Sequence, residues 1–287
     1  MASTDHVRRI ALLSPGAMGS AVAARLSVAG HPIFTSLEGR SAASRARAAA
    51  SGMKDAADEA LVDCDIILSI LPPGDAFALV ERLAPWLERA PTKPLFIDAN
   101  ALNPASKKAL AARLADLGCG MIDGAIIGPP PTQDAHAATT LFLSGPAAAR
   151  AACLDVPGFG VTVMNGEVGA ASTLKMCYSG INKGIVGLAT ALLLAAERHG
   201  AADALHAEMQ RSMPDLFKRF GRQVPDMFPK AYRWIAEMEE IAAFLGADDA
   251  AGEMLFKGMA GEFAGIAADM AGEKSAVATL QKAVVPD

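Results

Sequence analysis

The chain has 287 residues, 52% of them hydrophobic and only 5% aromatic, with a formal net charge of −5. That length accommodates one large or two ordinary domains, and an Ala- and Gly-rich composition suits packed helices and α/β layers better than an aromatic sandwich. The acidic balance argues against a nucleic-acid binder, and no uncharged apolar run reaches the roughly 18 residues of a membrane span.

Cys64, Cys119, Cys153 and Cys177 form no CxxC pair. They read as free thiols of a reducing cytoplasm, where the protein is expected to reside. The opening MASTDHVRRIALLS has two arginines before an apolar run too short for a signal sequence, so the run reads as a first strand.

In chain order, that strand covers residues 9–13, and residues 19–29 keep Val22, Leu26 and Ala29 at helical spacing before Gly30. A strand over 32–37 and a helix of small residues over 42–51 follow. Residues 65–71, DIILSIL, are continuously apolar, as a strand buried on both faces is. Pro72-Pro73-Gly74 stops it, with Asp75 as the expected cap of the next helix. LFID, residues 95–98, is a further strand, and Asn103-Pro104 reads as the cap and first residue of a helix over 105–117. Strands over 121–127 and 140–144 flank the Pro-rich GPPPT segment. This alternation predicts crossover connections and a mostly parallel sheet. From Ala170 onward nearly every segment reads as helix, interrupted at Pro214, Pro225 and Pro229. The expected fold is an N-terminal α/β doubly wound sheet over 1–163, followed by an all-α domain over 164–287.

The turn Ser14-Pro15-Gly16-Ala17-Met18-Gly19 joins the first strand to the first helix. A pyrophosphate needs backbone N–H groups and a helix N-terminus behind them. Gly16 permits close approach and Gly19 permits the helix to pack on the strand, the two later positions of a Rossmann GxGxxG loop. Ser14 replaces the first glycine, and Pro15 stiffens the turn. The context of strand, turn, helix and further βαβ units supports a dinucleotide site over a structural glycine turn. Leu71 and Pro72, ending the buried strand, border the same expected site.

The end of the second strand reads TSLEGRSAASR. Glu38 suits the ribose hydroxyls of NAD(H), whereas Arg40, Ser41 and Arg45 suit the 2′-phosphate of NADP(H). The balance favours NADP(H) over NAD(H), against the plainer reading of solvated surface arginines.

The stretch GEVGAASTLKMCYSGINKG, residues 166–184, places Lys175, Tyr178, Ser179, Asn182 and Lys183 on one stripe of a helix. By composition alone this is as readily a solvated polar face. His136 reads as a surface histidine beside the Pro-rich loop, and no His/Asp/Glu cluster has metal spacing.

A glycine loop, a strand ending in DxN…P, a Gly/Pro-rich loop and then GxxGxxxxxK on a long helix resemble the β-hydroxyacid dehydrogenase family over nearly the whole chain. That family includes the 3-hydroxyisobutyrate and 6-phosphogluconate dehydrogenases. The resemblance implies a Rossmann domain followed by a helical domain, with Lys175 as the acid/base catalyst. It also implies Asn100 on a substrate carboxylate or the nicotinamide ribose, and Ser179 and Lys183 orienting the substrate. Ile127, Gly128, Pro129, Tyr178, Asn182 and Glu237 would line the substrate site. A small-molecule substrate and, by analogy, a homodimer are expected.

Several positions depart from the family pattern. DxST is Asp98-Ala99-Asn100-Ala101, the substrate loop is DGAIIGPPPT, and the Asn four residues after the lysine is Ser179. The KDxxLA motif is matched by EMEEIA, which places Glu237 at its lysine. Lys183, one helical turn from Ser179, is positioned to replace that charge. The strings LEGRS, KMCYSGINKG and RWIAEMEEIA are similar to a bacterial branch with a phosphogluconate dehydrogenase-like C-terminal domain of unassigned function. The implied activity is interconversion of a small hydroxy acid and its carbonyl form. Imine reduction on the same architecture and non-catalytic nucleotide binding are the alternatives.

Overall fold

A computed structural model describes residues 7–132 and 139–284, which places His136 outside the described residues. The chain divides into two compact units, Met1–Lys175 and Met176–Asp287.

The first unit is an eight-stranded sheet in the order β3-β2-β1-β4-β5-β6-β7-β8. The strands are β1 (Ile10–Leu13), β2 (Ile33–Thr35), β3 (Met53–Asp55), β4 (Ile66–Ser69), β5 (Leu95–Asp98), β6 (Met121–Ile127), β7 (Thr140–Ser144) and β8 (Gly160–Val163). The first six are parallel, the expected doubly wound order. β7 is antiparallel to β6, and β8 runs parallel to β7. The chain therefore crosses over by helices α1 (Ala17–Val28), α2 (Ala42–Ala50), α3 (Asp58–Val62), α4 (Ala76–Arg89) and α5 (Pro104–Asp116).

Alternation along β1 divides the core between the two faces. Ile10 and Leu12 pack with Val22, Leu26 and Ile33 on the face of α1, whereas Ala11 and Leu13 pack with Leu79, Leu83 and Leu110 under α4 and α5. Asn103 caps α5 as expected, its Oδ1 accepting from Ser106 N at 2.9 Å. Asp75 does not cap α4: it occupies the N-cap position in helical conformation, at the end of the 3₁₀ turn Pro73–Asp75, and makes no side-chain capping bond. Pro73-Gly74-Asp75 tighten into that turn, so the aspartate enters the helix start through its backbone rather than as a side-chain cap.

The second unit contains most of α6 (Ala170–Arg198) with α7 (Ala202–Ser212), α8 (Pro214–Met227), α9 (Ala231–Leu245), α10 (Ala250–Ala271) and α11 (Ser275–Ala283). Its core joins Val186, Phe217, Phe220, Met238, Ile241, Phe263 and Leu280, with Trp234 edge-on to Phe263 at 5.1 Å between ring centroids. By length and composition alone α6 is apolar enough to cross a bilayer, and 39% of its most apolar window is buried in the fold. Its outer stripe leaves Tyr178, Ile181, Leu188 and Leu192 exposed.

Candidate active-site residues

Gly16 occupies the N-cap of α1, which has no side-chain cap, so the first-turn amides of Ala17, Met18 and Gly19 face outward from an open helix start. A Cβ added at Gly16 would meet nothing within 4 Å, whereas one at Gly19 would lie 2.0 Å from the Ser14 carbonyl oxygen. The two glycines therefore serve different needs: Gly16 leaves space above the turn, and Gly19 lets the helix touch the strand. Arg47, which sequence reasoning missed, braces the turn through an Nε–H donated to the Pro15 carbonyl at 3.0 Å.

A cavity of about 180 Å³ opens beside this turn, lined by Ser14 from the loop, Thr35 and Ser36 from the end of β2, Arg40, Leu71 and Arg82 among others. Arg40 is on its wall, and Glu38, Ser41 and Arg45 are not among its lining residues. Ser41 instead caps α2, accepting from Ser44 N at 3.3 Å, and Arg45 Nε donates to the Arg40 carbonyl. The Thr35 hydroxyl oxygen is buried without a hydrogen-bond partner.

Asn100 is 2% exposed, and its amide is committed within the fold. Oδ1 accepts from Leu71 N at 2.5 Å, while Nδ2 donates to Ser69 Oγ at 2.9 Å and Asp98 Oδ2 at 2.6 Å. Leu71 and Pro72 open the segment that leads into α4, so Asn100 anchors the start of that segment. Asp98 in turn pairs with Lys107, a fully buried lysine that also lies 3.3 Å from Asp123 Oδ1. Asp123 receives the start of α6: Gly169 N donates to Oδ2 at 2.9 Å, Ser172 N to Oδ2 at 3.0 Å and Ser172 Oγ to Oδ1 at 2.6 Å. Lys175 follows Ser172 by three residues on this helix. Ile127 ends β6, Gly128 adopts φ 128° and Pro129 is exposed in the loop beyond.

On α6 in the second unit, Lys183 Nζ donates to Ser179 Oγ at 2.9 Å, pairs with Glu237 and lies 5.6 Å from the centre of the Trp234 ring. The lysine is 16% exposed and the glutamate 39%. The residue at the family's lysine position and the helix lysine expected to replace its charge are thus each other's partner. Asn182 Oδ1 accepts from Arg219 at 2.8 Å and Gln223 at 3.2 Å, fixing α6 to α8. Tyr178 is half exposed.

Residues 9–157 match the profile of the NAD binding domain of 6-phosphogluconate dehydrogenase, and residues 196–266 match a domain of unknown function, DUF1932. The chain belongs to the β-hydroxyacid dehydrogenase family. A probable 3-hydroxyisobutyrate dehydrogenase of Mycobacterium tuberculosis is 29% identical over 172 residues, 58% of this chain and 57% of that protein, so the match spans little more than half of its relative. Among solved structures, Mycobacterium tuberculosis 3-hydroxyisobutyrate dehydrogenase with L-serine superposes with TM-score 0.74 and 20% identity, covering 96% of this chain and 100% of that one. Streptomyces aurantiacus imine reductase gives TM-score 0.55 and 20% identity, covering 97% of this chain and 100% of that one. At such identities these two likenesses are of fold.

The contact at Gly19 sets a first prediction. Gly19→Ala forces a methyl against the Ser14 carbonyl; the strain should cost about 1–3 kcal/mol, read as a lower Tm in thermal unfolding, while Gly16→Ala, with open space, should leave Tm nearly unchanged.

Proposed function

We propose that this chain is an NADP(H)-dependent oxidoreductase that interconverts a small hydroxy acid and its carbonyl form, with Lys175 as the proton carrier. The observation that carries the reading is the cavity beside an uncapped helix N-terminus, with Arg40 on its wall.

The residues present fit a dinucleotide. The open side of Gly16, the free helix start and the unpartnered Thr35 hydroxyl are features a phosphate-and-ribose ligand satisfies. Ser14, Pro15, Gly16, Ala17, Met18 and Gly19 would hold the pyrophosphate, with Leu71 and Pro72 bordering it. Arg40 supports NADP(H), because a guanidinium matches a 2′-phosphate by charge-assisted, bidentate hydrogen bonds. Glu38, outside the cavity lining, gives the NAD(H) alternative less support. When bound, the nicotinamide exchanges the hydride with the substrate carbon.

The chain supplies the proton chemistry. In oxidation the neutral Lys175 amine takes the hydroxyl proton, and in reduction its ammonium returns it to the carbonyl oxygen. Asn100 contributes by fixing the Leu71 segment beneath the cofactor site, a role its fully used amide group allows. Ser179, Lys183 and Glu237 form a partly buried polar group on the next two turns of the same helix and its neighbour α9, with Asn182 and Tyr178 beside them. Lys183 provides the cation for a substrate carboxylate, and Glu237 holds it in place. In the first unit, Ile127, Gly128 and Pro129 at the end of β6 are the loop candidates for substrate contact. The likeness to an imine reductase leaves C=N reduction as the competing chemistry, which retention of Lys175 disfavours.

A second copy of the chain is the expected cover for the outer stripe of α6. Exposed Ile181, Leu188 and Leu192 make an apolar surface of the kind that marks self-association.

Three measurements test this reading. Lys175→Met should keep NADPH binding, followed by fluorescence, and lower kcat by about 10²–10⁴-fold in a screen of hydroxy acids, aldehydes and imines; unchanged turnover overturns the role of Lys175. Arg40→Ala should raise the KM for NADPH by about 10-fold or more, the scale of a lost charge-assisted bond, and barely alter that for NADH; equal effects refute the 2′-phosphate assignment. In light scattering, the Ile181→Asp, Leu188→Asp double variant should have half the molar mass of the wild-type dimer.

A further inference from the structure

The most deeply buried cation in the described structure lies outside every motif that the function absorbs. Lys107 sits on α5 with a side-chain exposure of 0%, as do Asp98 and Asp123. Its ammonium pairs with Asp98 Oδ1, donates to the Asp98 carbonyl at 2.5 Å and the Gly124 carbonyl at 3.3 Å, and lies 3.3 Å from Asp123 Oδ1. Two carboxylates and one ammonium leave one surplus negative charge in a dry interior. Hydrogen bonds from Asn100 to Asp98, from Ser144 Oγ to Asp123, and from the start of α6 to Asp123 meet it. The positive end of the helix macrodipole adds to that compensation.

The two carboxylates point to different parts of the candidate site. Through Asn100, Asp98 holds the Leu71 segment at the cofactor cavity. Through Gly169 and Ser172, Asp123 holds the first turn of the helix that carries Lys175. Lys107 touches both and reaches neither the cavity nor the helix itself.

We propose that Lys107 is a positioning residue: by clamping Asp98 and Asp123 together, it fixes the cofactor-side segment and the Lys175 helix turn in one register. This rests on Lys175 being the proton carrier. Its ammonium neutralises carboxylates that would otherwise repel at close range, and its donors fix their side-chain orientation. Deleting it frees each carboxylate to turn, so the first turn of α6 loses its anchor.

The test pairs Lys107→Met with Ser172→Ala, which cuts one link from Asp123 to the helix and leaves the buried charges in place. Hydrogen exchange at the amides of Gly169 and Ser172 should speed up in both variants, while exchange in β1 and β4 stays as in wild type. With whichever hydroxy acid the wild type turns over, kcat should fall on the order of 10- to 100-fold for Lys107→Met, the scale of an ångström-sized misplacement. It should fall less for Ser172→Ala, with the Kd for NADPH within about threefold in both. If Lys107→Met does not fold, Lys107→Gln, which removes the charge and keeps a donor, takes its place in the same measurements. Wild-type exchange at Gly169 and Ser172 together with wild-type kcat in the folded variants overturns the positioning role. If the wild type turns over no hydroxy acid, the reading of Lys175 fails, and exchange alone then decides whether Lys107 anchors the helix turn.

Discussion

An ammonium group without water around it must find its solvation inside the protein, and the first unit is organised about one such group. Lys107 cannot leave its carboxylates: an unpaired buried ion costs several kcal/mol even after relaxation. Asp98 ends β5, Asp123 lies within β6 and Lys107 rides on the connecting helix α5, so one ionic cluster fastens two neighbouring strands and the helix that joins them. The cluster lies on the carboxyl-terminal side of parallel strands, where doubly wound folds bind ligands. The cavity beside the glycine turn and the first turn of α6 therefore share a common floor.

Charge placement also distinguishes the helical unit. Glu237 on α9 pairs with Lys183 on α6. The pair ties the lysine of the polar stripe to a carboxylate and the Trp234 face. Under the proposed function, a substrate anion meeting Lys183 would compete with Glu237 for it, whereas a lysine without an acidic neighbour would be met directly. Within the resemblance, Ser179, Glu237 and the GPPPT loop depart from the family pattern, while Gly16 and Gly19 of the strand–helix turn keep it.

Much of this was legible from residue order. Asn103-Pro104 announced the start of α5 because an Asx cap and a first-turn proline are local devices, and β5, β6 and β7 stood out as apolar runs between turn signals. β3 was not legible: three residues with a single buried apolar side chain carry no periodicity, and the neighbouring β2 creates the strand by pairing. Asp75 misled because it is drawn into the 3₁₀ turn Pro73–Asp75, which supplies the helix start that a capping aspartate normally would. The sequence favoured Arg40 over Glu38 although both follow β2 closely, and the path of the loop puts Arg40 on the cavity wall. Lys107 did carry a signal. It shares the buried stripe of Leu110 and Leu114 at helical spacing, but beside Lys108 it reads as surface charge, and its two partners come from other strands.

The grip of Asp123 on Gly169 and Ser172 spans 46 and 49 residues of chain. Bonds of such sequence separation reward the chain only after the entropy of closing the intervening loop has been spent. The segment closed includes β7 and β8, so the cap of α6 is completed with the sheet rather than with the helix. In a growing polypeptide, Asp123 and Lys107 emerge well before the turn that satisfies the aspartate. The order of synthesis therefore makes the Lys175 turn among the last parts of the first unit to gain its anchor, and its stability is that of the finished sheet.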